Sequence, residues 1–186
     1  MAWKSVCASL MFLVAATFAG MSCFLHEWAK GDEGKIGLFQ VCTSEEKETC
    51  SWLDNDPVSF CNGRNVTDDY NKRIIRMQAA ATLMVAGCFL CLFAALVASP
   101  VVQRYNYLTA TALGSVAAIG FTVSIIVFVT IDRKYYCFTE EADLHYAFGF
   151  GLATIPAAIV ASILGFQTPT TMLRLWGRVN SPDQEG

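Results

Sequence analysis

Charged residues are scarce in this sequence, and four long stretches contain almost none. Only 16% of the 186 residues are Asp, Glu, Lys or Arg, whereas 54% are hydrophobic, and the mean hydropathy is +0.42. Soluble domains carry about 25% charged residues. The composition therefore excludes an ordinary soluble domain and indicates a membrane protein.

The sequence also lacks the residue groups on which catalysis and cofactor binding depend. Its two histidines, His26 and His145, have no clear third ligand nearby to complete a metal site. No nucleophile–base–acid arrangement and no phosphate-binding glycine loop is visible. A net charge of −3 without a basic patch argues against nucleic acid. We therefore expect no enzymatic activity, no cofactor, no metal site and no nucleic-acid partner.

Four apolar runs are long enough to cross a bilayer, which takes roughly 20 helical residues for a hydrocarbon core of about 30 Å. The first run could instead be a cleaved secretory signal, since Lys4 precedes it, but its length exceeds the usual apolar region of such signals. The predicted fold class is an all-α membrane protein, a four-helix transmembrane bundle forming a single domain over residues 1–186. The predicted spans are about 5–25, 74–98, 107–131 and 146–166.

Two polar loops, about 26–73 and 132–145, separate these spans. Short apolar or aromatic stretches inside them are divided by charged residues, Pro, Asn, Asp or Gly, a pattern typical of short strands joined by turns. We expect a small extracellular antiparallel β-sheet formed by both loops. The candidate strands are Ile36–Cys42, Glu48–Leu53, Val58–Cys61 and, in the smaller loop, Tyr135–Thr139.

Lysine and arginine counts do not favour an orientation with both termini in the cytoplasm, because most of these residues lie in the two loops, but loop chemistry does favour it. Four cysteines lie in the loops, an even number typical of an oxidising compartment, and they allow three disulfide connectivities. Asn65-Val66-Thr67 is an acceptor sequence for N-glycosylation, which occurs outside the cytosol. Both signals predict a multi-pass plasma-membrane protein with both termini, including the tail 167–186, in the cytoplasm. The loop cysteines are Cys42, Cys50, Cys61 and Cys137.

The last span carries a small residue at every fourth position, at Gly149, Ala153, Ala157, Ala161 and Gly165. Small side chains let a neighbouring helix approach closely, which strengthens helix packing in a bilayer. We interpret the line as an intramolecular packing surface. A docking surface for a helix of another protein is the alternative.

The larger loop carries Trp28, then Gly37-Leu38-Phe39 followed by Cys42, and then Cys50. This pattern resembles the loop signature of the claudin superfamily. This superfamily includes the claudins, the peripheral myelin and epithelial membrane proteins, the lens fibre intrinsic membrane protein and the gamma subunits of voltage-gated calcium channels. Its loop signature is Trp, then Gly-Leu-Trp-x-x-Cys, then a second Cys. Residues 78–85, Gln-Ala-Ala-Ala-Thr-Leu-Met-Val, are also similar to a claudin run at the start of the second span. The signature residues here are Trp28, Gly37, Leu38, Phe39, Cys42 and Cys50.

The resemblance implies a disulfide between Cys42 and Cys50, because the two signature cysteines are bonded in the family. Cys61 and Cys137 then remain as a candidate second pair that would join the two loops. The sequence departs from the family at Phe39, where the usual residue is Trp. It also lacks the hydrophobic C-terminal residue by which many claudins bind scaffold proteins.

The resemblance implies two alternative functions. The first is cell–cell adhesion or paracellular barrier formation at cell junctions, through self-association or association with claudin-like proteins on the same or an adjacent cell. The excess of acidic residues in the loops would then favour cations, although a solvated surface is the simpler explanation. The second is an auxiliary, gamma-like subunit that binds the pore subunit of an ion channel or a receptor. Either function requires the lipid bilayer as a partner.

Overall fold

The computed structural model describes residues 2–25, 27–31, 34–43, 49–52, 68–99, 107–130 and 143–179. Within these ranges the chain forms four α-helices and five short β-strands. The helices are α1 Ala2–Phe24, α2 Asp68–Ala98, α3 Tyr107–Thr130 and α4 Tyr146–Val179.

All four described helices are long and apolar enough to cross a membrane, judged by length and composition. This confirms the predicted number of apolar helices, and their bounds lie within a few residues of the predicted spans. α2 and α4 are longer than the predicted spans, because α2 begins at Asp68 and α4 continues to Val179. The apolar segments are Trp3–Phe24, Ile74–Ala98, Leu108–Thr130 and Tyr146–Phe166.

The helices pack as a ring in chain order. α1 contacts α2, α2 contacts α3, α3 contacts α4, and α4 returns to contact α1, whereas α2 and α4 scarcely touch across the bundle. Contacts between neighbours in chain order are typical of up-down-up-down helix bundles.

Small residues make the close helix contacts possible. A Cβ atom at Gly87 would overlap the ring of Phe121, and one at Gly114 would overlap the ring of Phe12. Each glycine thus leaves room for a buried aromatic ring from a neighbouring helix. The remaining core is rich in alanine, which lets the backbones approach closely.

Hydroxyl groups connect the helices through backbone carbonyls. On α1, Ser9 donates to the carbonyl of Ala95 on α2 at 2.8 Å, and Ser5 makes the equivalent bond to Ala98. On α3, the buried Ser124 donates to the carbonyl of Ala80 on α2 at 2.7 Å. Each bond gives a buried hydroxyl the partner it would lack in an apolar interior.

The described strands form one antiparallel sheet in the order β4-β3-β2-β1-β5. Four strands come from the larger loop, and the two-residue β5 comes from the residues just before α4, so both loops contribute as predicted. The strands are β1 Ala29–Gly31, β2 Gly34–Ile36, β3 Gln40–Thr43, β4 Thr49–Trp52 and β5 Asp143–Leu144.

The strand prediction was wrong in its details. Residues 36–42 do not form one strand, because the chain turns after Ile36 and begins β3 at Gln40. β1 and β5 were not predicted. The candidate strand Glu48–Leu53, in contrast, matches β4. The candidate strands Val58–Cys61 and Tyr135–Thr139 lie outside the described residues.

Candidate functional site

Trp28 joins the sheet to the helix bundle. Its side chain is fully buried, and its indole N–H donates to the backbone carbonyl of Ser22 in the last turns of α1 at 2.7 Å. The indole packs edge-on against two rings, with centroid distances of 4.7 Å to Phe128 on α3 and 5.7 Å to Phe148 on α4. One side chain therefore contacts three helices.

The backbone of Trp28 also starts the sheet. Its N–H donates to the carbonyl of Ile36 at 2.8 Å, and its own carbonyl accepts from the N–H of His145 at 2.9 Å. The Ala147 N–H, in the first turn of α4, donates to the carbonyl of Glu27 at 3.3 Å. N–H donors in the first turn of a helix have no acceptor within the helix, and here the loop supplies one.

The Gly37-Leu38-Phe39 part of the signature forms the tip between β2 and β3. The Gly37 N–H donates to the carbonyl of Gln40 at 2.8 Å, which closes the turn. Leu38 is buried, and Phe39 is half-buried against the same apolar core. The tip therefore points its apolar side chains at the helix ends and anchors the middle of the sheet there.

A disulfide joins Cys42 on β3 to Cys50 on β4. The two residues are direct partners in the strand ladder, with Cα atoms 4.0 Å apart. Cys42 is buried under the sheet, whereas Cys50 is exposed. The bond ties β4, at one end of the described sheet, to the strand next to it.

Glu27 is the centre of a polar cluster beside Trp28. Its carboxylate lies 2.9 Å from the Nζ atom of Lys35 on β2 and 3.0 Å from the Nδ1 atom of His145, although the His145 contact lacks hydrogen-bond geometry. The hydrogen bond from Lys35 lowers the pKa of Glu27, and hydrogen bonding from Tyr146 and the positive charge of Lys35 act in the same direction. The cluster links β2 to the start of α4.

The sequence did not predict this cluster. Glu27 and His145 were recognisable only as polar residues at the ends of apolar runs, and nothing in their spacing shows that they meet. No group of His, Cys, Asp or Glu among the described residues could hold a metal ion. His26 lies outside the described residues.

The predicted line of small residues on α4 does not lie on one face of the helix. Gly149 is exposed, and a Cβ there would meet nothing within 4 Å, whereas Ala157, Ala161 and Gly165 are buried. Since an α-helix turns about 100° per residue, every fourth residue advances by about 40°, and 16 residues bring the line about 160° around the helix. Ala153, between the two ends, is half-buried.

The buried line on α4 alternates steps of four and three residues instead. Gly151 on this line lies directly against other parts of the protein. A Cβ there would lie 2.9 Å from the Ser22 Oγ atom and 3.1 Å from the Trp28 ring. Gly151 thus makes the space that Trp28 occupies. The positions on this line are Ala147, Gly151, Thr154, Ala158, Ala161 and Gly165, and all are buried.

Three predicted site residues, Cys61, Cys137 and Asn65, lie outside the described residues. The second disulfide and the glycosylation therefore stay predictions. The described cysteines other than Cys42 and Cys50 are free thiols, and all lie in the helices. They are Cys7, Cys23, Cys88 and Cys91.

No protein-family model matches this chain, and a search of curated proteins finds no match. The likeness to the claudin superfamily therefore rests on the signature residues of the sequence alone.

Proposed function

We propose that the protein is an integral membrane protein whose four helices cross a bilayer and hold the sheet on the outer side. The support is the distribution of side chains, because the bundle has small and hydroxyl side chains inside and large apolar side chains outside. Phe89, Leu96 and Leu108 are each more than 60% exposed. A surface of this kind is unfavourable in water and suits a lipid environment.

Membrane insertion and orientation are tested together in cells. The protein should stay in the pellet after alkaline carbonate extraction, and a C-terminal tag should bind antibody only after the cells are permeabilised. Asn65→Gln should increase gel mobility by removing one glycan. Antibody binding to the tag in intact cells would contradict the proposed orientation.

We further propose that the protein belongs functionally with the claudin superfamily and acts in cell–cell adhesion or paracellular barrier formation. The observation that carries this proposal is the mounting of the sheet, which Trp28, the Leu38 tip and the Cys42–Cys50 bond fix on the helix ends. Such a platform presents a defined surface to a neighbouring molecule. Trp52, on β4 at one end of the described sheet, is 69% exposed and adds an aromatic side chain to this surface.

The adhesion proposal is tested by mixing cells that express the protein with cells that do not. We expect the protein to concentrate where two expressing cells touch, through contact with itself or a claudin-like protein, and not where an expressing cell touches a non-expressing one. Trp52→Ala should reduce this enrichment. Trp3→Ala, which removes an exposed Trp near the start of α1, is the matched control. Even distribution over the cell surface would contradict the proposal.

A groove between α3 and α4 favours a second function, that of an auxiliary channel subunit. Its volume is about 620 Å³, and its walls include Ser115, Thr122 and Ile159. One turn of an α-helix, 5.4 Å long and about 10 Å across, occupies on the order of 400 Å³, so part of a partner helix fits there. Purification in mild detergent distinguishes the two functions, because a stoichiometric pore subunit would support the second.

A further inference from the structure

A second cavity lies where α1 and α2 meet the underside of the sheet. Its volume is about 360 Å³. α1 contributes its last turns, α2 contributes a middle turn, and the sheet closes the top with the β2–β3 tip. The lining residues that matter here are Gly20, Phe24, Leu38, Val85, Cys88 and Phe89.

The cavity is apolar and opens sideways. Phe24 and Phe89 line it and are nevertheless 89% and 67% exposed, so they form its mouth. On α2, Phe89, Phe93 and Leu96 follow the spacing of one helix face, and all three are exposed. The mouth is therefore continuous with the apolar outer surface of the spans.

Gly20 leaves the cavity open. A Cβ at this position would meet nothing within 4 Å, unlike those at Gly87, Gly114 and Gly151, which would collide with a neighbouring side chain. Among the residues that the structure describes, no ring or helix fills the space left by the absent side chain at Gly20. This leaves space for a molecule from outside.

We propose that this cavity binds one acyl chain of an outer-leaflet phospholipid. The inference rests on the proposed membrane insertion, since the mouth then opens into the outer half of the bilayer just below the sheet. A narrow, flexible acyl chain suits an apolar cleft of this shape between α1, α2 and the tip of the sheet. Water would find few polar partners on these walls. Gln40, at the sheet end of the cavity, lies where a lipid ester group would be.

A lipid bound in this cavity would help to hold the sheet, which we propose to be adhesive, in its position on the helices. The acyl chain would contact Leu38 at the β2–β3 tip and Phe24 at the end of α1 at the same time. Lipid bound there fills the space between the sheet and the helices on the side away from Trp28. The sheet would then be held by a protein contact on one side and by a lipid on the other.

The test uses the full protein in phosphatidylcholine nanodiscs that contain a phospholipid with a photoactivatable group in its acyl chain. After illumination, labelled peptides are mapped by mass spectrometry. We expect strong labelling of the peptides around Phe24 and Phe89. In Gly20→Phe, whose side chain fills the cavity, this labelling should fall at least about tenfold, the ratio expected for excluding as few as roughly two methylene groups.

Gly149→Phe is the matched control, because Gly149 is also a helical glycine with open space around it but does not line the cavity. It should leave the labelling around Phe24 and Phe89 unchanged. Val85→Phe fills the cavity from α2 and gives a second test if Gly20→Phe does not fold. Labelling on the outer face of α3, around Ile119, should be equal in all variants.

Each other result has a distinct meaning. Unchanged labelling around Phe24 in both filled variants would overturn the cavity proposal alone. Labelling there by a photoactivatable sterol, without labelling by the phospholipid, would overturn it in favour of a sterol. Loss of labelling on every helix, Ile119 included, would overturn membrane insertion and the cavity proposal with it.

Discussion

The indole N–H of Trp28 donates to the backbone carbonyl of Ser22 at 2.7 Å, so the first residue of the sheet region is bonded to the end of the helix that precedes it. Six residues separate the two in sequence. The bond fixes the direction in which the chain leaves α1. The packing of the indole ring against Phe128 and Phe148 also fixes the position of Trp28 relative to α3 and α4. The sheet therefore has a fixed orientation relative to the helices.

Two substitutions of Trp28 distinguish the stability contributed by its hydrogen bond from the stability contributed by its packing. Trp28→Phe keeps an aromatic ring but loses the donor to Ser22, and we expect a loss of about 0.5–1.5 kcal/mol in unfolding free energy, in addition to the cost of the smaller ring. Trp28→Ala removes the ring as well and should cost about 3–5 kcal/mol. Thermal unfolding in detergent measures both. Trp52→Ala, at an exposed Trp, is the control, and an equal loss there would contradict the special role of Trp28.

Removal of the Cys42–Cys50 bond should loosen β4. Cys42→Ser with Cys50→Ser should reduce stability by about 2–4 kcal/mol, because a disulfide restricts the unfolded chain. We expect the double variant to be delivered to the cell surface in smaller amounts and to be cleaved rapidly by protease within the sheet. Cys7→Ser, at a free thiol in α1, is the matched control and should have no such effect. Unchanged proteolysis in the double variant would refute the prediction.

The predicted pair Cys61 and Cys137 is tested by counting thiols. If these two are bonded, the denatured but unreduced protein should take up four maleimide labels, one at each of the free cysteines in the helices. If they are not bonded, both become additional sites. If the two cysteines are bonded, Cys137→Ser should free Cys61 and raise the number of labels by one. If they are not bonded, Cys137→Ser should lower the number of labels by one.

Gly151 and Gly149 provide a matched pair for helix packing on α4. Gly151→Ala places a methyl group against Ser22 and Trp28, and we expect a loss of about 1–3 kcal/mol from overpacking. Gly149→Ala meets open space and should be neutral or stabilising by up to about 1 kcal/mol, the helix-propensity difference between the two residues. Thermal unfolding of the two variants side by side measures the difference. A reversed order would show that α4 is rotated relative to the structure described above.

Acid should weaken the junction between the sheet and α4. The pKa of Glu27 is lower in the folded protein than its ordinary value of 4.5, chiefly because Lys35 hydrogen-bonds to the carboxylate. The ionised form therefore stabilises the fold above about pH 4.5, and this contribution is lost as the pH falls through the lowered pKa. Unfolding followed from pH 7 to pH 3 should show less acid sensitivity in Glu27→Gln. Equal acid sensitivity of Glu27→Gln and the unaltered protein over this range would contradict the prediction.

The sequence alone determined the helices and the presence of the sheet. A long apolar run satisfies its backbone hydrogen bonds within itself only as a helix, so the four runs admit one local structure each. Alternating apolar and turn-forming residues likewise indicate short strands. The pairing of Cys42 with Cys50 came from the resemblance, and the structure places these residues opposite each other in β3 and β4.

Only the tertiary structure decided which faces and loops meet. The three residues of β1 carry no strand pattern of their own, and they form a strand because Ala29 pairs with Ile36 on one side and Leu144 on the other. The Glu27 cluster likewise joins residues far apart in the chain. On α4, small residues occur on several faces of the helix. Gly151 lies on the face that packs against Trp28 and Ser22. Local periodicity fixes the shape of each element, whereas long-range packing fixes its rotation and its neighbours.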